Sequence, residues 1–468
     1  MSLPVPPQGT LPSYYNVAPL SVTETAQFTG RGWEVGFYRL NKTNTYERNF
    51  NEPIDDLARD ADGVTVANQG TERNYHGFRY VLQKVVNASA IKLDSKLDQP
   101  STATVSVPLG GEPVGILRGE VTPYHSAIEV SYDGYTMFGG IVWTCRADFF
   151  KQVLTISASD FLSFYAHRVS DHSRITGELA LKAPMEQVAA LWCCTAKVSN
   201  YNSGIHSAIH YTPPARPIKR DVDLGYGQFN KVLDSLYRWA DSTDGFFVYE
   251  QPVRQGPARI NSVEYKATTL NSNIHFTATR KPSLLTIDGK PVELVDRQNC
   301  EVTDLFVDGS TYANYSYAVG IPYRASKWVP RAEADATKSL DVISKPEPIK
   351  DVAVKHNIRT DEVDEKNQGS ADAHNKANWR LLQEKADQQL KWGSSPSILP
   401  TVRVYPDLFH PGWFKQANEG HTVLLSSRNE YAQLDRDEYV IMGTSIDVDK
   451  DGSSVIDLDL VQRAKFPT

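Results

Sequence analysis

The residues best placed to do chemistry are four aspartates near the C-terminus, in the stretch SIDVDKDGSSVIDLDL. Apolar and acidic residues alternate there, so the strand period of two predicts one acidic face opposite the core. The four are Asp447, Asp449, Asp457 and Asp459. An EF-hand is excluded, because the twelfth position counted from Asp447 is Leu458 rather than the required glutamate. The remaining interpretations are an ordinary exposed edge, the lining of a channel, or a weak divalent-cation site.

Other candidate ligands have unsuitable contexts. His206 and His210 have the four-residue spacing of metal ligands on a helix, but Gly204 and the Pro213-Pro214 pair disfavour a helix there. The four cysteines, which include the adjacent pair Cys193-Cys194, lack zinc-binding spacing and are predicted to be reduced thiols. We therefore predict no metal ion, cofactor or catalytic residue.

The segment Ile128–Arg168 indicates the type of fold. It predicts a strand, an Asp133-Gly134 turn, a second strand over Thr136–Arg146 and a third strand around Ile156. Gly139-Gly140 within the second strand predicts a bulge or bend. Asp160 is a candidate N-cap for a short helix that follows the third strand. With further predicted strands over 32–40, 77–86 and 102–107, this region is typical of a sandwich or barrel.

The whole chain divides by pattern into five segments. Helical spacing around Met185 and Phe229 predicts an α+β module, and Ala371–Leu390 predicts a late helix before four more strands. The predicted segments are an extended arm (1–20), a first β-barrel-like domain (21–170), an α+β insert (171–330), a linker or exposed loop (331–370) and a helix with a second β-barrel-like domain (371–468).

Composition narrows the possible functions. The net charge of −7 argues against general nucleic-acid binding, which needs a basic face. The N-terminus lacks the pattern of a signal peptide, and no apolar run is long enough to span a bilayer, so we expect no membrane anchor. The C-terminal stretch YVIMGTSIDV also echoes YTMFGGIVWT, since Phe138-Gly139 and Met442-Gly443 each precede a second alternating strand. Such an echo is expected of two related β domains.

Several motifs occur along the chain in an order that resembles the order found in the tail-tip hub, or minor tail, proteins of long non-contractile-tailed phages of actinobacteria. The motifs are LDQPSTATVSVP, GILRGEVTP, DG-x-x-x-F-GG-I-V, the helix pair, DGFFVYE and the helix around Leu381. The resemblance implies a mainly β, α+β multidomain chain with two tail-tube-like β-barrel domains and an α+β insert. It also implies a non-enzymatic trimer whose six β domains match a sixfold tube.

The resemblance further implies a place in the virion at the tail tip, after assembly in the host cytoplasm. The expected partners are a distal tail ring protein, a tape measure protein, downstream tip or receptor-binding proteins, and genomic DNA that passes without specific binding. In such a hub the four aspartates would line the channel, where like charge keeps DNA from adhering.

Other functions stay open from the sequence. The chain could be a hexameric distal tail ring subunit, which differs from the hub in subunit number. It could be a tail-associated cell-wall hydrolase, which needs a pair of carboxylates that no local pattern marks. It could be a glycan-binding adhesin that uses aromatic residues such as Trp33, Trp143 and Trp413.

Overall fold

The structure of the protein is a computed structural model, and it describes a large part of the chain. The described residues are 27–42, 78–110, 120–169, 189, 193, 207–212, 231–240, 246–255, 259–260, 263–264, 268–277, 282–309, 315–321, 331–335, 351–359, 383, 386–387, 390–391, 397–405, 419–428 and 433–466. The predicted arm over 1–20 lies outside these residues, as do most of the helix around Met185 and most of the helix around Leu381.

Strands dominate the described residues. The first group is β1 (Trp33–Lys42), β2 (Phe78–Val86), β3 (Ala90–Lys96), β4 (Thr102–Pro108), β5 (Ser126–Tyr132), β6 (Tyr135–Asp148) and β7 (Val153–Asp160). The middle group is β8 (Ser207–Thr212), β9 (Phe247–Gln255), β10 (Arg259–Ile260), β11 (Val263–Glu264), β12 (Thr269–Thr277), β13 (Thr286–Ile287) and β14 (Lys290–Pro291). The last group is β15 (Glu293–Val295), β16 (Cys300–Asp308), β17 (Tyr315–Ile321), β18 (Arg331–Asp335), β19 (Asp351–Arg359), β20 (Ser397–Val404), β21 (Thr422–Arg428), β22 (Gln433–Val448) and β23 (Ser454–Gln462).

The helices with described bounds are α1 (Ser163–Ala166), α2 (Val232–Ala240) and a 3-10 helix, Arg463–Lys465. Residues 189, 193, 383, 386–387 and 390–391 are also helical. The mainly β, α+β fold class predicted from the sequence is confirmed.

Two five-stranded units with the same strand order form the centre of the molecule. Unit 1 has the order β3-β4-β7-β6-β5, and unit 2 has the order β16-β20-β23-β22-β21. Every neighbouring pair in both units is antiparallel. The two strands that echo each other in sequence, β6 and β22, occupy equivalent places. The chain is therefore internally duplicated at the level of topology.

One strand pair joins the two units into a continuous sheet. β3 of unit 1 pairs with residues 443–448 of β22 in unit 2, in antiparallel register. We call this pair the seam. Strand β3 is missing from the sequence-based prediction, although Ile91 and Leu93 alternate with polar residues and are buried.

Two apolar cores lie on the two sides of unit 1. One core is shared by the units and includes Val105, Ile156, Val404 and Ile456. The other packs α1, α2, β9 and β12 against unit 1 through residues such as Phe161. The insert is thus attached to unit 1.

Two local predictions are corrected. The double glycine of β6 is paired in regular register, and the extra residues of β6 are Met137, opposite β5, and Trp143, opposite β7. Helix α1 begins at Ser163, after a turn, and Asp160 is the last residue of β7. The side chain of Asp160 still accepts a hydrogen bond from the Leu162 amide at 3.0 Å, so it organises the turn before the helix.

The glycines instead allow two strands to approach closely. A Cβ on Gly139 would lie 2.6 Å from Cβ of Pro252 in β9, and one on Gly140 would lie 2.3 Å from the Ser159 carbonyl oxygen.

The predicted linker or exposed loop at 331–370 is also wrong for part of its length. Strands β18 and β19 fall within it and pair with β17 in a three-stranded sheet.

Candidate functional surface

Of the four aspartates predicted from the sequence, three lie on the side of the sheet opposite the shared core, and Asp449 begins the turn between β22 and β23. In β22 and β23 the buried residues Ile446, Val448, Ile456, Leu458 and Leu460 alternate with them. Asp447, Asp449 and Asp459 are exposed, and Asp457 is partly exposed. This placement follows from the strand period, since successive side chains point to opposite faces.

The carboxylates do not stand alone, because basic residues of neighbouring strands share their face. Asp447 lies opposite Lys92 in the register of the seam. Asp457 accepts two hydrogen bonds from Arg403 of β20, at 2.9 Å from Nε and 3.0 Å from Nη2. These bonds raise the pKa of the Arg403 guanidinium. The face is thus polar with charges of both signs, rather than uniformly acidic.

We call this surface the polar face. It crosses the seam without interruption, because β3 and β4 continue it into unit 1. Asp94 of β3 accepts a hydrogen bond at 2.7 Å from Ser445 of β22, which ties the two units together. Thr104, Ser157 and Arg146 extend the face across β4, β7 and β6. Sequence reasoning missed Lys92, Asp94 and Arg403, although the alternation in β3 and β20 marks them as outward-facing.

The other ligand candidates predicted from the sequence do not form a site among the described residues. His210 lies on strand β8, in register with His275 of β12, rather than on a helix. Cys145, Cys193 and Cys300 are in no disulfide bond, and Cys194 lies outside the described residues. No group of three or more histidine, cysteine or acidic side chains is arranged to hold a metal within the described ranges. The described helices are also too short or too polar to cross a membrane.

The aromatic residues considered for glycan stacking have structural contacts. The Trp143 ring stacks on His167 at 4.1 Å between centroids, and its Nε1 donates to Ser163 at 2.9 Å. Trp33 packs beside Tyr132 at 4.8 Å. Trp413 lies outside the described residues. The bulge at Trp143 therefore turns this side chain toward α1.

A buried charge holds the insert to unit 1. Glu129 of β5 is fully buried and accepts hydrogen bonds from Arg254 of β9 at 2.8 Å and 2.6 Å. It also accepts from Thr136 at 2.6 Å and from the Tyr38 hydroxyl. Arg254 in turn lies over the Phe28 ring at 3.7 Å. Burial is the main reason that the pKa of Tyr38 is raised. Such a network positions the insert against unit 1.

Solved structures with detectable similarity to this fold include three that are described as tail proteins. The tail protein from Neisseria meningitidis MC58 superposes with a TM-score of 0.50 at 11% identity, over 93% of this chain and 98% of that one. A 43 kDa tail protein of prophage MuSo2 from Shewanella oneidensis gives 0.49 at 14% identity, over 83% and 99% of the two chains. A prophage tail protein from Listeria monocytogenes gives 0.42 at 10% identity, over 80% and 88%.

The Neisseria superposition covers nearly the whole of both chains, so the two proteins are similar in fold from end to end. At this identity the similarity establishes the fold alone. No family model matches the sequence. No curated protein matches it either.

Proposed function

We propose that the protein is a non-enzymatic structural component of a phage virion, the trimeric hub at the tail tip. The duplicated units and the seam between them carry this proposal. A chain with two equivalent units presents the same surface twice, so three chains offer six such surfaces to a sixfold tube. The similarity in fold to the Neisseria tail protein supports the same class of function.

The seam also suggests how the copies assemble. We match the two units by aligning Ile156 of β7 with Ile456 of β23, which are both fully buried. Arg146 of β6 is then equivalent to Asp447, because Arg146 pairs with Thr155 and Asp447 with Val455. By the same matching, Glu301 of β16, which pairs with Arg403, is equivalent to Lys92 of β3, which pairs with Thr104. A second seam between two copies would therefore set Arg146 opposite Glu301 of the partner subunit.

Among the described residues, one edge of each strand needed for this second seam is not paired with another strand. Residues 144–148 of β6 pair with β7 on one side, and residues 301–307 of β16 pair with β20. In the part of the chain that the structure describes, no strand pairs with the other edge of either stretch. Both seams would also join opposite charges, Asp447 with Lys92 and Arg146 with Glu301. This complementarity supports a ring built by repeating the seam.

In such a ring the polar face lines the channel. The four aspartates would then face the passing DNA. The basic side chains beside them, Lys92 and Arg403, would reduce the repulsion between the aspartates and the DNA without abolishing it. The resemblance to actinobacteriophage hubs supplies the proposed partners: a distal tail ring, a tape measure protein and downstream tip or receptor-binding proteins. An electron-microscopy map of the assembled tail with these carboxylates on the outer wall would contradict the channel assignment.

Charge reversal tests the assembly. The wild-type protein should have a native mass of about three times the 52.2 kDa chain. Arg146→Glu alone or Glu301→Arg alone should lower the native mass to that of one chain, and the double variant should restore the trimer. As a matched control, Asp447→Lys changes the seam inside the chain and should leave the trimer intact. A native mass of one chain or of six chains for the wild type would reject the trimeric hub, and six would favour the distal tail ring.

A further inference from the structure

The hairpins β6–β7 and β22–β23 occupy equivalent places in the two units. Their tips lie at the same end of the strands, and below we call this end, rather than an outer strand, the edge of the sheet. The tip of unit 1 joins β6 to β7 through residues 149–152, and the tip of unit 2 joins β22 to β23 through residues 449–453. Strands β3 and β4 separate the two hairpins in the sheet. The tips are therefore four strand spacings apart, about 19 Å along the sheet.

The tip of unit 1 is aromatic and well ordered. Phe149 is 77% exposed and Phe150 is 97% exposed, the highest values among the large apolar side chains described. The Asp148 carboxylate accepts hydrogen bonds from the amides of Phe150 at 3.0 Å and Lys151 at 2.9 Å. Gln152 accepts from the Leu109 amide at 2.9 Å, which ties the tip to the end of β4. Two phenylalanines are thus held outward by a fixed turn.

The tip of unit 2 has the opposite chemistry on a similar frame. Its residues 449–453 are Asp-Lys-Asp-Gly-Ser. The Asp451 carboxylate accepts hydrogen bonds from the Ser453 amide at 3.1 Å and the Ser453 hydroxyl at 2.7 Å. The two units thus share the hairpin but expose different side chains at its tip, and an aspartate at a different position orders each turn.

The size and charge of the tips indicate the kind of partner. Two phenylalanines bury about 300–500 Å² when they are covered. A stable interface buries about 800 Å² on each partner, so the aromatic tip is one anchor within a larger contact. The acidic tip on the same edge would be repelled by anionic lipid headgroups, which disfavours a membrane and favours a protein with apolar sockets and nearby basic groups.

We propose that this edge of the sheet docks a threefold tail component, whose apolar sockets receive Phe149 and Phe150. The proposal rests on the trimeric ring proposed above. Around such a ring, aromatic and acidic tips alternate, so the edge has threefold rather than sixfold symmetry. Six identical sockets would meet only three aromatic tips, whereas a threefold partner meets all of them. The sixfold tube would then contact the opposite edge.

The test places the photo-crosslinking residue p-benzoylphenylalanine at position 150 in assembled particles, with position 290 as the exposed control. Lys290 is an exposed residue at the start of β14, outside both tips. We expect position 150 to crosslink to one other virion protein present at three copies per particle, with the crosslinked peptide containing apolar residues. The paired change Phe149→Ser with Phe150→Ser should reduce incorporation of that protein at least tenfold and leave the native mass of the isolated hub unchanged.

Other outcomes would overturn the proposal. They are a crosslink to a second copy of this chain, a crosslink to a sixfold component, no crosslink above the position 290 control, and Phe-dependent binding of the protein to phosphatidylglycerol vesicles. If the paired serine variant becomes a monomer while the wild type is a trimer, the tip is a contact between copies and only the docking proposal fails. If the wild type is itself a monomer, the hub proposal fails instead.

Discussion

Unit 1 and unit 2 share a strand order but differ in what covers them. Unit 1 carries a second core under the insert, with α1, α2, β9 and β12 packed against it. In unit 2 the corresponding described surface has a smaller cluster of Leu97, Phe247, Val440 and Phe466. The duplicated sheet is therefore a common frame, and unit 1 has been adapted to hold the insert. The adaptations are visible as single residues at matched positions.

One such adaptation is the location of the strand bulge. In the pairing of β6 with β7 the extra residue is Trp143, and in the pairing of β22 with β23 it is Met442, two positions earlier in the matched register. Each extra residue is large and apolar, and each contacts the packing beside its own unit. A bulge re-aims a side chain without changing strand order, so it is a simple way for duplicated sheets to acquire different neighbours.

The largest expected difference between the units concerns their ion pairs. Glu129→Gln should lower the free energy of unfolding by about 3–5 kcal/mol, because it leaves Arg254 without its buried carboxylate partner. Asp457→Asn, which breaks the Arg403 pair, should lower it by less than about 1 kcal/mol, because that pair is partly exposed. Chemical denaturation of both variants measures the contrast. Equal losses would show that the insert is not held by the Glu129 network.

A second expected difference concerns glycines on the equivalent strands β6 and β22. Gly140→Ala should cost about 3 kcal/mol, since its Cβ would meet the Ser159 carbonyl oxygen at 2.3 Å and backbone cannot easily move. Gly443→Ala should cost about 1 kcal/mol or less, since its Cβ would lie 3.1 Å from the Ser95 carbonyl oxygen. Thermal unfolding of the two variants tests the order. A greater loss for Gly443→Ala would contradict the close packing described for unit 1.

How much of this could be predicted from the sequence depends on the range of the interaction. The period of two correctly places the aspartates of β22 and β23 opposite the core, because alternation is a local property. The partners of those aspartates are not predictable in this way, since Lys92 lies more than 300 positions from Asp447 in the chain. From the sequence alone, Gly139-Gly140 predicts a bulge. The structural role of Gly139 is instead to admit Pro252 of β9, a neighbour from the insert that the local sequence does not reveal. The seam is hidden for the same reason, as it depends on a non-local pairing.

The smallest expected effect concerns pH and a buried carboxyl that only unit 1 carries. Asp160 of β7 is equivalent to Leu460 of β23, since they pair with Gly140 and Ile441 respectively. Burial raises the pKa of Asp160 to about 7, although hydrogen bonds from the Ser101 and Leu162 amides oppose the shift. Burial also raises the pKa of Glu250, with a contribution from Asp160, and raises that of Tyr237.

A raised folded-state pKa means that the folded protein binds more protons than the unfolded chain between about pH 4 and pH 7. The contribution of Asp160 to stability is therefore fully present at low pH and is lost as the pH rises through 7. At about 1.4 kcal/mol per pKa unit, this group should make the protein about 2 kcal/mol less stable at pH 7 than at pH 5. Asp160→Asn should flatten the profile, and part of the slope should remain because Glu250 shifts in the same direction. Denaturation midpoints measured from pH 4 to pH 8 give the slope. An identical slope in the wild type and Asp160→Asn would show that the buried carboxyl of unit 1 does not contribute to the pH dependence of stability.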